Sequence, residues 1–237
     1  MDGQAALLGT EAAAVGCVLG RQAVERLLRL QALVCDSPFN VSGLREPGEI
    51  RRKHLVDSLA CLRLAGLQAG ERVVDIGTGA GFPGLPVAVA CPAVRVELVD
   101  AAAKKAEFVR MAIGVLGLSN AAALQGRAED LGRDAAWRQR CDCVLARALA
   151  PLRILAEYAL PLCRPGGRLI ALKGSRADAE LTEAGPALAA LGGVCTDRLA
   201  FLLPGGDETR IVLRVEQRGP VPDRFPRRAG VPQRRPL

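Results

Sequence analysis

The chain has 237 residues, half of them apolar, which is enough for one α/β domain with its own core plus extensions, and no apolar run has the length of a membrane span. The formal net charge is +7, and the last twenty residues carry most of it. Eight cysteines without a Cys-x-x-Cys pair predict reduced thiols in a cytoplasmic protein without a metal site, and acidic residues among the first twenty argue against a secretory signal.

Helical segments come first along the chain. Apolar residues between Val24 and Val34 recur at helical spacing, which predicts a helix that ends near residue 36. A run of turn-forming residues, Cys35 to Pro47, interrupts this pattern, and a second amphipathic helix is predicted from Glu49 to Leu64. We therefore assign residues 1–66 to a helical extension packed on the core.

From residue 67 onward, strand-like and helical runs alternate, which predicts a parallel sheet with helices on both faces. The predicted strands are Arg72–Ile76, Arg95–Val99, Ala121–Leu124, Cys143–Ala146 and Arg168–Leu172. The predicted helices are Pro86–Cys91, Lys104–Leu116, Leu152–Leu162 and Asp178–Leu191. Two further strands, Cys195–Leu203 and Arg210–Val215, are joined by a Pro-Gly-Gly-Asp turn, which predicts a hairpin at the sheet edge. Residues 67–217 thus form the predicted domain.

Residues 218–237 form a predicted basic arm with one acid, Asp223. Its arginines are Arg218, Arg224, Arg227, Arg228, Arg234 and Arg235. Six arginines against one acid leave +5 of the net +7. Arginines interleaved with prolines favour an arm that contacts phosphates, and a solvated, disordered tail is the alternative.

A glycine-rich turn follows the first predicted strand. It reads Asp75-Ile-Gly-Thr-Gly-Ala-Gly-Phe-Pro-Gly84 and leads into a predicted helix. Glycines let a backbone approach a ligand closely, and the start of a helix offers unpaired N–H groups. The segment therefore predicts a site for a nucleotide-like ligand.

Two ligand classes fit this turn. Gly79-x-Gly81-x-x-Gly84, with Asp100 about 20 residues further on, matches the dinucleotide fingerprint. Two acidic residues favour S-adenosylmethionine, which has no phosphate and carries a cationic amino acid part. Asp75 is expected to point at the ligand, and Glu129 follows the third strand, near the adenine end. Asp100 would bind ribose hydroxyls in either case. A nicotinamide cofactor, and glycines that serve only the turn, are the alternatives.

Several segments together resemble one known family. They are Asn40-Val-Ser42, His54-Leu-Val-Asp-Ser58, the glycine turn, Leu98-Val-Asp100, Gly126-Arg-Ala-Glu129, Ala146-Arg-Ala-Leu-Ala-Pro151, Pro165–Gly174 and Phe225–Leu237. From about residue 20 onward the chain resembles the bacterial 16S ribosomal RNA guanine-N7 methyltransferases, also called the glucose-inhibited division protein B family. Phe82 stands where that family usually has leucine, and Phe225 where we expect tyrosine.

The resemblance implies a Rossmann-like, seven-stranded S-adenosylmethionine-dependent methyltransferase fold and methylation of guanine 527 of 16S RNA. Combined with the acidic residues and glycines above, it gives one set of candidate cofactor-binding residues: Asp75, Gly77, Gly79, Phe82, Asp100, Ala128, Glu129 and Arg147. Arg147 would close over the cofactor or contact guanine O6 or a phosphate, and an ion pair with Glu129 or Asp142 is the alternative. Candidate RNA-binding residues are Lys173, Arg224, Arg227, Arg228, Arg234 and Arg235.

Guanine N7 has a lone pair and no proton, so we expect a positioning mechanism without a proton-transfer catalyst. His54, the one histidine, is interpreted as a packing or capping residue, and Asp57 and Ser58 as braces behind the site. Lys173 is interpreted as a phosphate contact or a solvated side chain. We expect a monomer that acts on the small ribosomal subunit, away from membranes. A nicotinamide-dependent oxidoreductase and a non-catalytic ribosome-assembly protein are the alternative functions.

Overall fold

The fold is described for residues 2–37 and 41–237 of a computed structural model. Asn40, at the start of one of the segments that carry the resemblance, lies outside these ranges, as do the two residues before it. Within the described ranges, no helix is both long and apolar enough to cross a membrane.

One sheet of seven strands runs in the order β3-β2-β1-β4-β5-β7-β6. The strands are β1 Arg72–Ile76, β2 Arg95–Asp100, β3 Ala121–Gln125, β4 Cys141–Arg147, β5 Cys163–Lys173, β6 Gly193–Leu202 and β7 Thr209–Gln217. Neighbouring strands from β3 to β5 are parallel, whereas β7 pairs antiparallel with both β5 and β6. The predicted hairpin therefore forms the sheet edge, and the Rossmann-like methyltransferase fold is confirmed.

Helices cover both faces of the sheet. They are α1 Asp2–Ala14, α2 Arg21–Cys35, α3 Pro47–Ile50, α4 Asp57–Ala60, α5 Leu62–Ala65, α6 Gly84–Ala90, α7 Ala103–Leu116, α8 Ala128–Leu131, α9 Leu152–Ala159, α10 Ala177–Glu183, α11 Gly185–Leu191 and α12 Val231–Arg234. Successive strand residues point to opposite faces. Val73 accordingly packs in one hydrophobic cluster, with α1, α2, α6 and α7, and Val74 in the other, with α9 and α11.

The predicted helix from Glu49 to Leu64 is interrupted. Glu46 caps α3 by accepting hydrogen bonds from the next turn's backbone, and a π-helical turn, Arg51–Val56, then precedes α4. In this turn Arg51 pairs with Glu11 of α1 at 2.8 Å. The wider π turn places Lys53 and His54 in the wall of a cavity at the carboxyl edge of the parallel strands.

The predicted helix from Asp178 to Leu191 is two helices, α10 and α11. The break falls at Ala184, and Gly185-Pro186 begins α11. Proline has no backbone N–H to donate to the preceding turn, so the hydrogen-bond ladder of α10 does not continue through Pro186.

The carboxyl-terminal segment lies against the domain. Val221 and Phe225 are buried in the same hydrophobic cluster as α9. The division into residues 1–66, 67–217 and 218–237 stays a prediction, since the first and last segments both share a hydrophobic cluster with the sheet.

Candidate cofactor and substrate site

The glycine-rich turn joins β1 to α6 at the carboxyl edge of the parallel strands. Its backbone is tied to β2, because Thr78 N–H donates to Val99 O at 3.0 Å and Gly79 N–H donates to Asp100 Oδ2 at 2.9 Å. Gly77 has a φ of +65°. The positive φ favours glycine, and a Cβ added there would lie 2.5 Å from Leu149 Cδ1 and displace that side chain.

Asp75 holds this turn from beneath. It is 0% exposed, and its Oδ2 accepts hydrogen bonds from Thr78 Oγ1 at 2.5 Å and from Gly84 N–H at 2.8 Å. Burial raises the pKa of the Asp75 carboxyl to about 7, against the lowering effect of these hydrogen bonds. The expectation that this carboxylate points at the ligand is therefore wrong: central parallel strands are buried on both faces, and the side chain points into the protein.

A cavity of 300 Å³ lies beside the turn, and we call it the smaller cavity. Its wall contains Gly77, Asp100, Ala128 and Glu129, which are four of the predicted cofactor-binding residues. Both carboxylate oxygens of Asp100 are oriented by backbone donors: Oδ2 accepts from Gly79 N–H and Oδ1 from Ala102 N–H. The wall contains two acids, Asp100 and Glu129, and two basic residues, Lys105 and Arg127, and its Asp100 carboxylate is preorganised.

A larger cavity of 780 Å³ adjoins it. The two share three wall residues, Gly77, Ala148 and Leu149. The wall of the larger cavity also contains Gly79, Phe82 and Arg147, together with basic residues at 53, 173 and 210. Of the eight predicted cofactor-binding residues, all except Asp75 therefore line one or both of these cavities.

Arg147, at the end of β4, is fixed by the π-helical turn and α4. Its Nη1 donates to Lys53 O at 2.8 Å and lies 3.1 Å from Asp57 Oδ2, and its Cζ lies 5.4 Å from the centre of the Phe82 ring. The alternative ion pair with Glu129 or Asp142 is therefore wrong. Asp57 braces Arg147, in agreement with the sequence prediction.

His54 packs against Phe82, with ring centres 4.7 Å apart and an interplanar angle of 28°. Burial, reinforced by the positive charge of Arg147, lowers the pKa of His54 to about 4. The imidazole is therefore neutral near pH 7. Nδ1 lies 3.0 Å from Arg147 Nη2, which only donates, and 3.1 Å from Lys53 O, which only accepts.

Lys173 closes the other side of the larger cavity. Its side chain is 7% exposed, its Nζ pairs with Glu180 at 2.8 Å, and the same Nζ donates to Ala150 O at 2.6 Å. The interpretation of Lys173 as a solvated side chain is therefore wrong. Its contact with RNA phosphate stays a prediction.

The predicted RNA-binding arginines of the carboxyl-terminal segment fall into two groups. Arg227 forms a fork with Glu157, in which Nη2 is 2.5 Å from Oε2 and Nε is 2.8 Å from Oε1. Its guanidinium is thus engaged within the protein, and its contact with RNA stays a prediction. The exposed ones are Arg224, Arg228, Arg234 and Arg235.

Ala148, Leu149 and Arg210 are among the wall residues that sequence reasoning missed. Ala148 and Leu149 directly follow β4, and their place at the carboxyl edge of a parallel strand was a usable signal. Ala148 has a φ of +51°, rare for a residue with a Cβ, and Leu149 is 37% exposed. Arg210, 3.6 Å from Asp57, arrives from the antiparallel hairpin and has no local sequence signal.

No metal centre emerges from the part of the chain that the structure describes. Residues 2–37 and 41–237 contain no group of three or more His, Cys, Asp or Glu side chains placed to hold a metal ion.

Comparison with known proteins decides the family. The GidB family, described as rRNA small subunit methyltransferase G, matches residues 23–201. The chain belongs to this family. The ribosomal RNA small subunit methyltransferase G of Pelotomaculum thermopropionicum is 41% identical over 225 residues, with 94% of each chain covered. The resemblance drawn from the sequence segments is confirmed.

Solved structures agree on the fold. TrmN from Thermus thermophilus superposes with a TM-score of 0.58 at 26% identity, over 82% of this chain and 53% of that one. Geranyl diphosphate methyltransferase in complex with S-adenosylmethionine superposes with a TM-score of 0.55 at 16% identity, over 78% of this chain and 94% of that one. Membership of the methyltransferase G family and this fold support S-adenosylmethionine as the cofactor.

Proposed function

We propose that this chain transfers a methyl group from S-adenosylmethionine to N7 of a guanine in 16S ribosomal RNA, guanine 527 by resemblance. The observation that carries the proposal is the pair of adjoining cavities at the carboxyl edge of the sheet. One contains the preorganised Asp100 carboxylate, which suits the hydroxyls of a nucleoside. The other has more basic than acidic residues in its wall, which suits RNA, and the two meet at Gly77 and Leu149.

The smaller cavity fits the cofactor. Asp100 would accept hydrogen bonds from the ribose hydroxyls, since backbone donors already orient its carboxylate. Ala128 and Glu129 would flank the adenine, and the turn at Gly77 leaves room that a Cβ would fill. When bound, S-adenosylmethionine supplies a methyl group on a positively charged sulfur.

The larger cavity suits a base taken out of the RNA. Asp57, the Lys53 carbonyl and His54 hold Arg147 in place before any substrate arrives, so little reorganisation is needed on binding. Phe82 gives the cavity an aromatic wall. Reading guanine through its O6 would leave N7 open to the methyl group.

Methyl transfer to N7 requires no proton removal, and the cavity wall matches that requirement. The imidazole of His54 is neutral near pH 7, and its Nδ1 is already in contact with Arg147 and Lys53 O. The ammonium group of Lys173 forms an ion pair with Glu180. The chain's contribution is therefore positioning and exclusion of water, with no side chain assigned as general base.

Affinity for RNA would come from arginine–phosphate contacts. The exposed arginines of the carboxyl-terminal segment and Lys173 are the proposed contacts, in a protein of net charge +7. We further propose a monomer that acts on the small subunit in the cytoplasm.

Mass-spectrometric mapping of methylated nucleosides tests this function. Small-subunit RNA from cells with the protein should contain 7-methylguanosine at one position, and RNA from cells without it should contain unmodified guanosine there. Identical RNA from both would contradict the proposal and favour a non-catalytic assembly protein. Fluorescence titration with NADH separates the oxidoreductase alternative, which predicts binding of NADH and no response to S-adenosylhomocysteine.

A further inference from the structure

The segment of residues 225–230, which we call the strap, is firmly attached beside the smaller cavity. Pro226 packs against Gly132, where an added Cβ would lie 2.8 Å from Pro226 Cγ. Arg133 Nε donates to Pro226 O at 2.9 Å, and Arg138 Nη1 donates to Phe225 O at 2.6 Å. The strap therefore runs along the end of α8, the helix that carries Ala128 and Glu129.

An ion pair with a buried carboxylate anchors the strap. Glu157 of α9 is 0% exposed, and its carboxylate accepts hydrogen bonds from both the backbone N–H and the guanidinium of Arg227. A buried carboxylate needs such compensation, so the strap is held at this point. The residue after Glu157, Tyr158, lies in the wall of the smaller cavity.

The strap also reaches the smaller cavity directly. Gly230 N–H donates to Glu129 Oε1 at 3.0 Å, and Glu129 is only 6% exposed. Gly230 has a φ of +79°, a conformation that glycine adopts readily, and it aims this N–H at the carboxylate. One of the candidate cofactor-binding carboxylates is thus oriented by a residue three positions beyond Arg227.

We propose that Arg227 is a positioning residue for cofactor binding: its ion pair with Glu157 holds the strap so that Gly230 fixes the Glu129 carboxylate in the wall of the smaller cavity. This inference rests on the proposed function, because it takes the smaller cavity as the cofactor site. Arg227 would thus act on cofactor binding through the strap, whereas its exposed neighbour Arg228 remains available to contact RNA.

The test measures two affinities for three full-length variants. Calorimetry gives the Kd for S-adenosylhomocysteine, and filter binding gives the Kd for a small-subunit RNA transcript. Arg227→Ala should raise the Kd for S-adenosylhomocysteine about tenfold, because a hydrogen bond to a charged group loses its support, and change the Kd for RNA less than about twofold. Arg228→Ala is the matched control: it should raise the Kd for RNA and leave the Kd for S-adenosylhomocysteine nearly unchanged. Arg227→Lys keeps the charge without the fork and should restore part of the cofactor affinity.

Near-ultraviolet circular dichroism establishes that each variant is folded. If Arg227→Ala does not fold, Glu157→Gln replaces it, since this variant removes the charge from the pair, weakens the attachment of the strap and should raise the same Kd. A folded variant of either kind with the wild-type Kd for S-adenosylhomocysteine would overturn the inference alone. Failure of the wild type to bind S-adenosylhomocysteine would instead contradict the proposed function.

Discussion

Gly84 and Gly114 are both helical glycines, and their surroundings differ sharply. Gly84 begins α6, and a Cβ there would lie 2.7 Å from Leu98 Cδ2 and 2.8 Å from Asp75 Oδ2, both of which are buried. Gly114 lies in α7 with nothing within 4 Å of an added Cβ. Glycine is required at position 84 because Asp75 and Leu98, which lie under the turn, leave no room for a Cβ. At position 114 there is room, and glycine only lowers the stability of the helix through its greater loss of conformational entropy on folding.

These surroundings predict opposite effects of the same substitution. Gly84→Ala should lower the free energy of unfolding by about 1–3 kcal/mol, because the extra methyl group overpacks a buried contact. Gly114→Ala should raise it by about 0.5–1 kcal/mol. Urea unfolding without ligand measures both values. Equal changes in the two variants would contradict the assigned role of Gly84.

His54 should make the protein sensitive to acid. Its folded pKa of about 4 lies below the ordinary value of 6.5, so its contribution is present above pH 6.5 and is lost as pH falls through the folded pKa. From pH 7 to pH 5 the wild type should lose about 2 kcal/mol relative to His54→Gln. The raised pKa of Asp75 has the opposite effect, but it acts in both proteins and cancels in the difference. An equal change in the free energy of unfolding from pH 7 to pH 5 in the wild type and in His54→Gln would contradict a neutral, buried imidazole.

At the scale of elements, Arg168 of β5 joins the helical extension to the sheet. Its guanidinium donates to Ala65 O and Gly66 O at the end of α5, and its Nη2 pairs with Glu71 at 2.6 Å. The two side chains are 6% and 13% exposed. Glu71 directly precedes β1, so the pair lies towards the amino-terminal side of the sheet, away from the cavities.

Loss of this link should be costly. Arg168→Met should lower the free energy of unfolding by about 3–5 kcal/mol, because Glu71 is left buried without its partner. Adding Glu71→Leu should recover most of the loss. Arg198→Met is the matched control: its fork with Asp178, also at 2.6 Å, is 41% and 62% exposed, so no measurable loss is expected. Equal losses in the two single variants would refute the role of burial.

The elements show what the sequence could predict. Strands and the hairpin follow from apolar runs and turn residues, which are local signals. The π-helical turn at residues 51–56 does not, because the periodicity of apolar residues reports which face is buried and not the path of the hydrogen bonds. The break at Ala184 has a local signal, the Gly185-Pro186 pair that follows it, but the helical spacing of the apolar residues favoured one continuous helix.

The site divides in the same way. The glycine turn, Asp100 and Glu129 are adjacent to strand ends and were predicted. Asp75 was placed wrongly because β1 is buried on both faces, so alternation cannot give the direction of one side chain. The partners of Arg147 and Arg227 lie 90 and 70 residues away in the sequence, beyond any local pattern.

For the whole molecule, the exposed arginines should set the salt dependence of RNA binding. If Arg224, Arg228, Arg234 and Arg235 each contact a phosphate, replacing all of them with alanine should make the slope of log K against log salt concentration about 3 units shallower, at about 0.7 per contact. Filter binding across a salt series measures the slope. An unchanged slope would contradict phosphate contacts by this segment.

Methyl transfer by the purified protein tests the central claim most directly. The substrate is small ribosomal subunits, or their extracted RNA, from cells that lack the protein, supplied with S-adenosylmethionine carrying a deuterated methyl group. Mass spectrometry of the digested RNA should show the label in 7-methylguanosine at a single position. No label, or label on another atom or base, would contradict the account.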